Sequence, residues 1–206
     1  VPLQRNDRAA PGFSSIIERE KPMSDSTDTS TLKPSDEADR KGLDLGRAQG
    51  EALTRTLKHM TDEVATDGRE EQVGEYLVGY AVEKAEGMYH PKAGDLEWKA
   101  PGDHNAHIEI SVRDAADGRF IPGLEVEVTL TAPDGSEHGP QHLPLLWHPY
   151  LYHYGRNWTV PESGAYSLKV HFDAPKMPRH DKTNGKRFVA GCTHVFEGVK
   201  IETGQG

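Results

Sequence analysis

Leu124-Glu125-Val126-Glu127-Val128-Thr129-Leu130 alternates apolar and polar residues without a break, and a period of two marks a β-strand with one buried face. The segments Tyr76–Glu83, His107–Arg113, Asn157–Val160, Ala165–Phe172 and Thr193–Glu202 also read as strands, as does the full run Leu124–Thr131. The pairs Asp117-Gly118, Asp134-Gly135, Ser163-Gly164 and Asn184-Gly185 supply turn chemistry between them. Short strands joined by polar turns, with no helices between, predict an all-β core. The expected architecture is an antiparallel β-sandwich of the immunoglobulin-like kind, with a barrel as the alternative.

Toward the N-terminus this pattern stops. Of the fifteen Phe, Trp and Tyr residues only Phe13 precedes Tyr76, which places the β-sandwich domain at residues 75–206. Residues 42–66 read as an amphipathic helix, because Leu43, Ala48, Ala52, Leu53, Leu57, Met60 and Val64 recur mostly at steps of three and four. Gly46 and Gly50 weaken the start of that helix. Its polar face mixes acids and bases, so it is expected to pack on its own domain or on a dimer mate rather than on a membrane. Residues 1–41 carry Ser, Thr, Asp, Pro and scattered charge, too little apolar surface to offset the entropy of ordering, and are expected to be a disordered or partner-ordered tail.

Composition removes several function classes. With 24 Lys+Arg against 33 Asp+Glu the formal charge is −9, the wrong sign for a nucleic-acid footprint. No run reaches the roughly 18–20 apolar residues of a membrane helix. The single cysteine, Cys192, cannot close an internal disulfide or build a thiolate metal cage. There is no His-Glu-x-x-His helix, no Gly-x-Ser-x-Gly elbow and no phosphate-binding glycine loop.

The histidines carry the remaining chemistry. Ten of eleven follow residue 89. In His107-Ile108-Glu109-Ile110-Ser111-Val112 strict alternation puts His107 and Glu109 on one face of a strand, where a nitrogen and an oxygen can address one metal ion. The same pair would also suit a solvated outer face. The stretch from His142 to Asn157 holds three histidines and four aromatics with two prolines, and is expected to fold over the end of the sandwich and wall a pocket that a histidine enters. Met177-Pro178-Arg179-His180-Asp181 reads as a loop before the Asn184-Gly185 turn.

Taken together, these segments resemble the periplasmic iron-transport-associated (Fe2+ transport protein) family, immunoglobulin-like copper- and iron-binding proteins found beside bacterial iron permeases. The resemblance runs over roughly residues 75–202. It is carried by Gly87-Met88, His107-Ile108-Glu109, His153-Tyr154-Gly155 followed by Asn157, Gly164-Ala165-Tyr166, and Pro175 with Met177-Pro178-Arg179-His180. It implies His107, Glu109, His153 and His180 as metal ligands. Where the family has Met-Pro-Met this chain reads Leu143-Pro144-Leu145, and Pro178 replaces a family histidine. The thioether of that segment is therefore missing, and His148 is the nearby candidate to replace it. Copper or iron is the implied ion, and the imidazole–carboxylate set also suits zinc. A homodimer and an iron permease as partner are implied as well.

The expected function is metal binding in iron acquisition or handling, presenting or buffering Cu or Fe ions for a permease-type partner without covalent chemistry. A metal-dependent enzyme using the His/Glu-coordinated ion and a non-catalytic sandwich assembly module are the alternatives. The resemblance implies an extracytoplasmic location, whereas the tail shows no secretory signal pattern, which taken alone points to the cytoplasm.

Overall fold

The computed structural model describes residues 31–206; the first thirty residues of the expected tail lie outside it. Helix α1 (Arg40–His59) runs into a π-helical turn at Met60–Val64. Eleven strands follow among the described residues: β1 (Asp67–Val73), β2 (Tyr76–Glu83), β3 (Met88–Lys92), β4 (Asp95–Lys99), β5 (Ala106–Asp114), β6 (Val126–Thr131), β7 (Glu137–Leu143), β8 (Leu145–His148), β9 (Leu151–Trp158), β10 (Gly164–Phe172) and β11 (Cys192–Ile201). Two antiparallel sheets, ordered β1-β2-β5-β9-β8 and β11-β10-β6-β7, make the sandwich, and β3-β4 forms a separate hairpin.

Alternation explains the core. Val78, Tyr80 and Val82 of β2 and Ile108, Ile110 and Val112 of β5 share one cluster with Val126, Val128 and Leu130 of β6, Leu168, Val170 and Phe172 of β10, and Phe196 of β11. Each large apolar side chain taken out of water there contributes about 1.5–3 kcal/mol, which sets the register, since a slip of one residue would turn the whole set outward. The sandwich begins earlier than residue 75, because β1 pairs with β2 from Asp67↔Val82 to Val73↔Tyr76. Its sequence, Asp-Gly-Arg-Glu-Glu-Gln-Val, carries almost no apolar signal, as suits an edge strand.

The other face of β5 decides the site. Every residue of β5 is buried, so the polar set His107, Glu109, Ser111 and Arg113 does not face solvent. Helix α1 lies over it. The helix meets the domain through Gly46, Gly50, Leu53, Leu57 and Met60, whereas Ala52 and Val64 of the expected apolar face are exposed. Gly50 seats it: a Cβ built there would lie 1.7 Å from the backbone oxygen of Asp117. The glycines read as a weakness of the helix are thus its point of closest approach. Arg113 completes the seat by donating to Thr54 Oγ1 of the helix at 2.9 Å, to the carbonyl of Gly118 at 3.0 Å and to Glu70 of β1. Asp39 caps the helix by accepting from the Gly42 N–H at 2.8 Å.

Two expectations about irregular segments change. The residues just before α1 are held rather than loose: the Lys33 N–H donates to Asn184 Oδ1, Asn184 Nδ2 donates back to the Lys33 carbonyl, and Ser35 Oγ donates to Asp181, each at 2.8 Å. The His142–Asn157 stretch is not a loop folded over the sandwich end. It crosses from β7 to β8 at Pro144 and returns as the β8–β9 hairpin, paired from Leu145↔Tyr154 to His148↔Leu151. Its prolines stand at the crossing and in the turn, where no ladder hydrogen bond is lost.

Candidate metal centre

Three neighbouring strands present one row of polar side chains on the helix-covered face. Register places Glu83 of β2 beside His107 of β5 and Asn157 of β9, and Ala81 beside Glu109 and Gly155. His107, Glu109 and His153 offer ligand atoms that all lie within 4.8 Å of one another, the one such group of three among the described residues. His107 Nε2 is 3.7 Å and His153 Nε2 3.1 Å from Glu109 Oε1. All three side chains are buried.

The motif His153-Tyr154-Gly155 is legible from this geometry. His153 points to the helix-covered face. Tyr154 points into the core, where its hydroxyl donates to the Ile121 carbonyl at 2.8 Å and accepts from the Leu124 N–H at 3.0 Å. Gly155 leaves room for the histidine: a Cβ there would stand 2.9 Å from His153 Cδ2 and 3.0 Å from Nε2. Asn157 orients the other imidazole. Its amide nitrogen donates to the Glu86 carbonyl at 2.6 Å, and its Oδ1 accepts from the Glu86 N–H at 3.2 Å. Oδ1 therefore faces His107 Nδ1 at 2.8 Å as an acceptor, so Nδ1 carries the proton and Nε2 keeps its lone pair toward Glu109. An outer partner that fixes tautomer and ring in this way is the usual companion of a metal-ligating histidine.

Burial sets the charge state. It raises the Glu109 carboxyl to about 8, helped by the nearby Glu83 and Glu86 carboxylates. It lowers His153 to about 3, with His107 and His148 adding to the effect, and it also lowers His107 against the hydrogen bond that His107 donates to Asn157. The Nδ1 of the buried His153 ring has no hydrogen-bond partner, and its Nε2 has only the Glu109 carboxyl beside it, at 3.1 Å. A buried imidazole with an unpartnered nitrogen costs free energy, and a metal ion that takes the ring's lone pair offsets that cost. The three groups fit one: two neutral nitrogens and a carboxyl that can give up its proton.

The remaining candidates stand apart. His148 borders the centre, with its ring centroid 6.3 Å from that of His153 and 4.3 Å from Tyr150, and it lies outside the tight group of three. His180 is not brought to the centre: it is 93% exposed on its loop and pairs with Glu37 at 3.0 Å. A loop histidine with a carboxylate partner from the segment before α1 has no force drawing it to a site on the opposite strands. Leu143 is in the core and Leu145 is 45% exposed. Sequence reasoning passed over Gly155 and Asn157 as supports, though both stand in the quoted motif, and it passed over the helix as a cover. The cue for the cover was the Gly46, Gly50, Leu53, Leu57, Met60 spacing of four, three, four and three.

A model of the family described as Fe2+ transport protein matches residues 60–197. No curated protein matches the chain. Among solved structures, the "as isolated" FetP of uropathogenic E. coli aligns with a TM-score of 0.56 at 21% identity, over 66% of this chain and 94% of FetP. A copper-bound variant of the P19 protein of Campylobacter jejuni aligns at 0.55 and 17%, over 66% and 95%. Copper-reconstituted P19 aligns at 0.56 and 17%, over 66% and 94%. At these identities the likeness shows the β-sandwich fold.

Proposed function

The chain belongs to the Fe2+ transport protein family, and we propose that it binds a copper ion through His107, Glu109 and His153 and handles that metal for an iron-transport system. One observation carries the reading: two imidazoles and a carboxyl converge within 4.8 Å in a buried site. Copper is preferred to iron or zinc because solved structures that share the fold are described as copper-bound. The site holds the ion and releases it to a partner, a permease of the same transport system, and performs no covalent chemistry. The location is extracytoplasmic and the working form a homodimer, both in keeping with the family. No helix among the described residues is long and apolar enough to cross a membrane.

The test is metal stoichiometry and affinity. Protein purified without a histidine tag and loaded with Cu(II) should retain about one ion per chain. Changing His107 and His153 together to Ala should abolish tight binding and leave the melting transition in place. Uptake that survives the double change is scattered surface binding, and it sinks the proposal.

A further inference from the structure

The centre has a second wall. A cavity of about 210 Å³ separates α1 from the sheet, lined on one side by Glu109, Ser111 and His153 and on the other by Leu57, Met60 and Thr61. Met60 is 2% exposed and packs on Ala81 and Leu151. Ala81 is the cross-strand neighbour of Glu109, and Leu151 precedes His153 by two residues on the same face of β9. Met60 therefore stands over the immediate neighbours of two ligands. It opens the π-helical turn Met60–Val64, a distortion of helical hydrogen bonding that is frequent at functional sites. Its Sδ accepts from the Tyr150 hydroxyl at 3.8 Å, and the Tyr150 ring stands against His148. Neither Met88 nor Met177, the other described methionines, lines this cavity.

We propose that Met60 Sδ is a further ligand of this metal centre, so that the N-terminal helix supplies the thioether which Leu143-Pro144-Leu145 cannot. The inference rests on the metal-binding reading above. Its chemistry is specific. Two imidazoles and a carboxylate form a borderline-to-hard set, and a thioether adds a soft donor that favours Cu(I). Methionine is unbranched, with three rotatable bonds, so its sulfur can turn from Tyr150 into the cavity without moving the helix. The helix then acts as the lid of the site and as a ligand carrier in one element.

X-ray absorption at the copper edge of the full chain loaded with Cu(I) tests this. The unsubstituted protein should show one copper–sulfur path. Met60→Leu, a swap of similar volume, should show nitrogen and oxygen paths alone and bind Cu(I) about tenfold more weakly, with Cu(II) affinity changed by less than about twofold. Copper bound with no sulfur path in the unsubstituted protein overturns the Met60 inference and leaves the His/Glu centre standing. A sulfur path that persists in Met60→Leu overturns it as well. A chain that takes up no copper in either oxidation state overturns both readings. Absence of the sulfur path from the unsubstituted protein overturns the inference whether or not the variant folds.

Discussion

His153 Nε2 faces Glu109 Oε1 at 3.1 Å, and burial keeps both groups neutral near pH 7, the imidazole by lowering its pKa to about 3 and the carboxyl by raising its own to about 8. The proton that a metal must displace therefore sits on the carboxyl. Imidazoles with ordinary pKa values would make affinity bend near pH 6.5. Here Cu(II) affinity should rise about tenfold per pH unit from pH 6 to 8 and level off above, with about one proton released per ion. Calorimetric titration in buffers of differing ionisation enthalpy measures that proton, and a bend near 6.5 would return the titration to the histidines.

The same carboxyl affects the metal-free protein. A group that holds its proton more tightly when folded withdraws stability as pH rises from its unfolded value, about 4.5, to its folded value, about 8. Glu109→Gln removes that liability. Metal-free Glu109→Gln should be more stable than the parent at pH 8.5, by on the order of 2–4 kcal/mol, and should converge with it near pH 4.5, while losing most of its copper affinity. Urea unfolding at the two pH values checks this; a variant no more stable at pH 8.5 means that the buried carboxyl is not strained by ionising.

Gly155→Ala is expected to separate binding from folding. The added methyl would crowd His153 at 2.9–3.0 Å and Leu146 Cδ1 at 2.8 Å, and the imidazole is the group able to turn away. Copper affinity should fall by about tenfold or more while stability changes by less than about 1.5 kcal/mol. Unchanged affinity would mean that His153 reaches the ion from another rotamer.

Gly50→Ala should be destabilising although alanine is the better helix former by about 1 kcal/mol. Its Cβ meets the Asp117 backbone oxygen at 1.7 Å, so α1 must lift from the turn that follows β5. We expect a net loss of about 1–3 kcal/mol in chemical denaturation, together with a looser metal site, because the helix covers it. A gain in stability would show that the helix does not seat on this turn.

His180→Ala should change copper affinity by less than about twofold, because His180 is exposed and paired with Glu37. Its removal should instead loosen the segment before α1, read as faster amide exchange at residues 33–37. A loss of copper affinity comparable to that of His107→Ala would make His180 a ligand after all.

The period-two pattern by itself determined the all-β core, because alternation is a local property of a strand with one apolar face: Leu124–Thr131 and His107–Arg113 show it in full. It also determined that His107 and Glu109 share a face, since that follows from a spacing of two. The family motif added His153. Other features depend on contacts far apart in the chain. β1, nearly all polar, is a strand only because β2 offers it an edge. The covered face of β5 exists because Gly46 and Gly50, 60 or so residues away, let a helix approach a turn. His180 pairs with Glu37 rather than with the centre for the same reason: periodicity says which way a side chain points, and only packing says what lies opposite it.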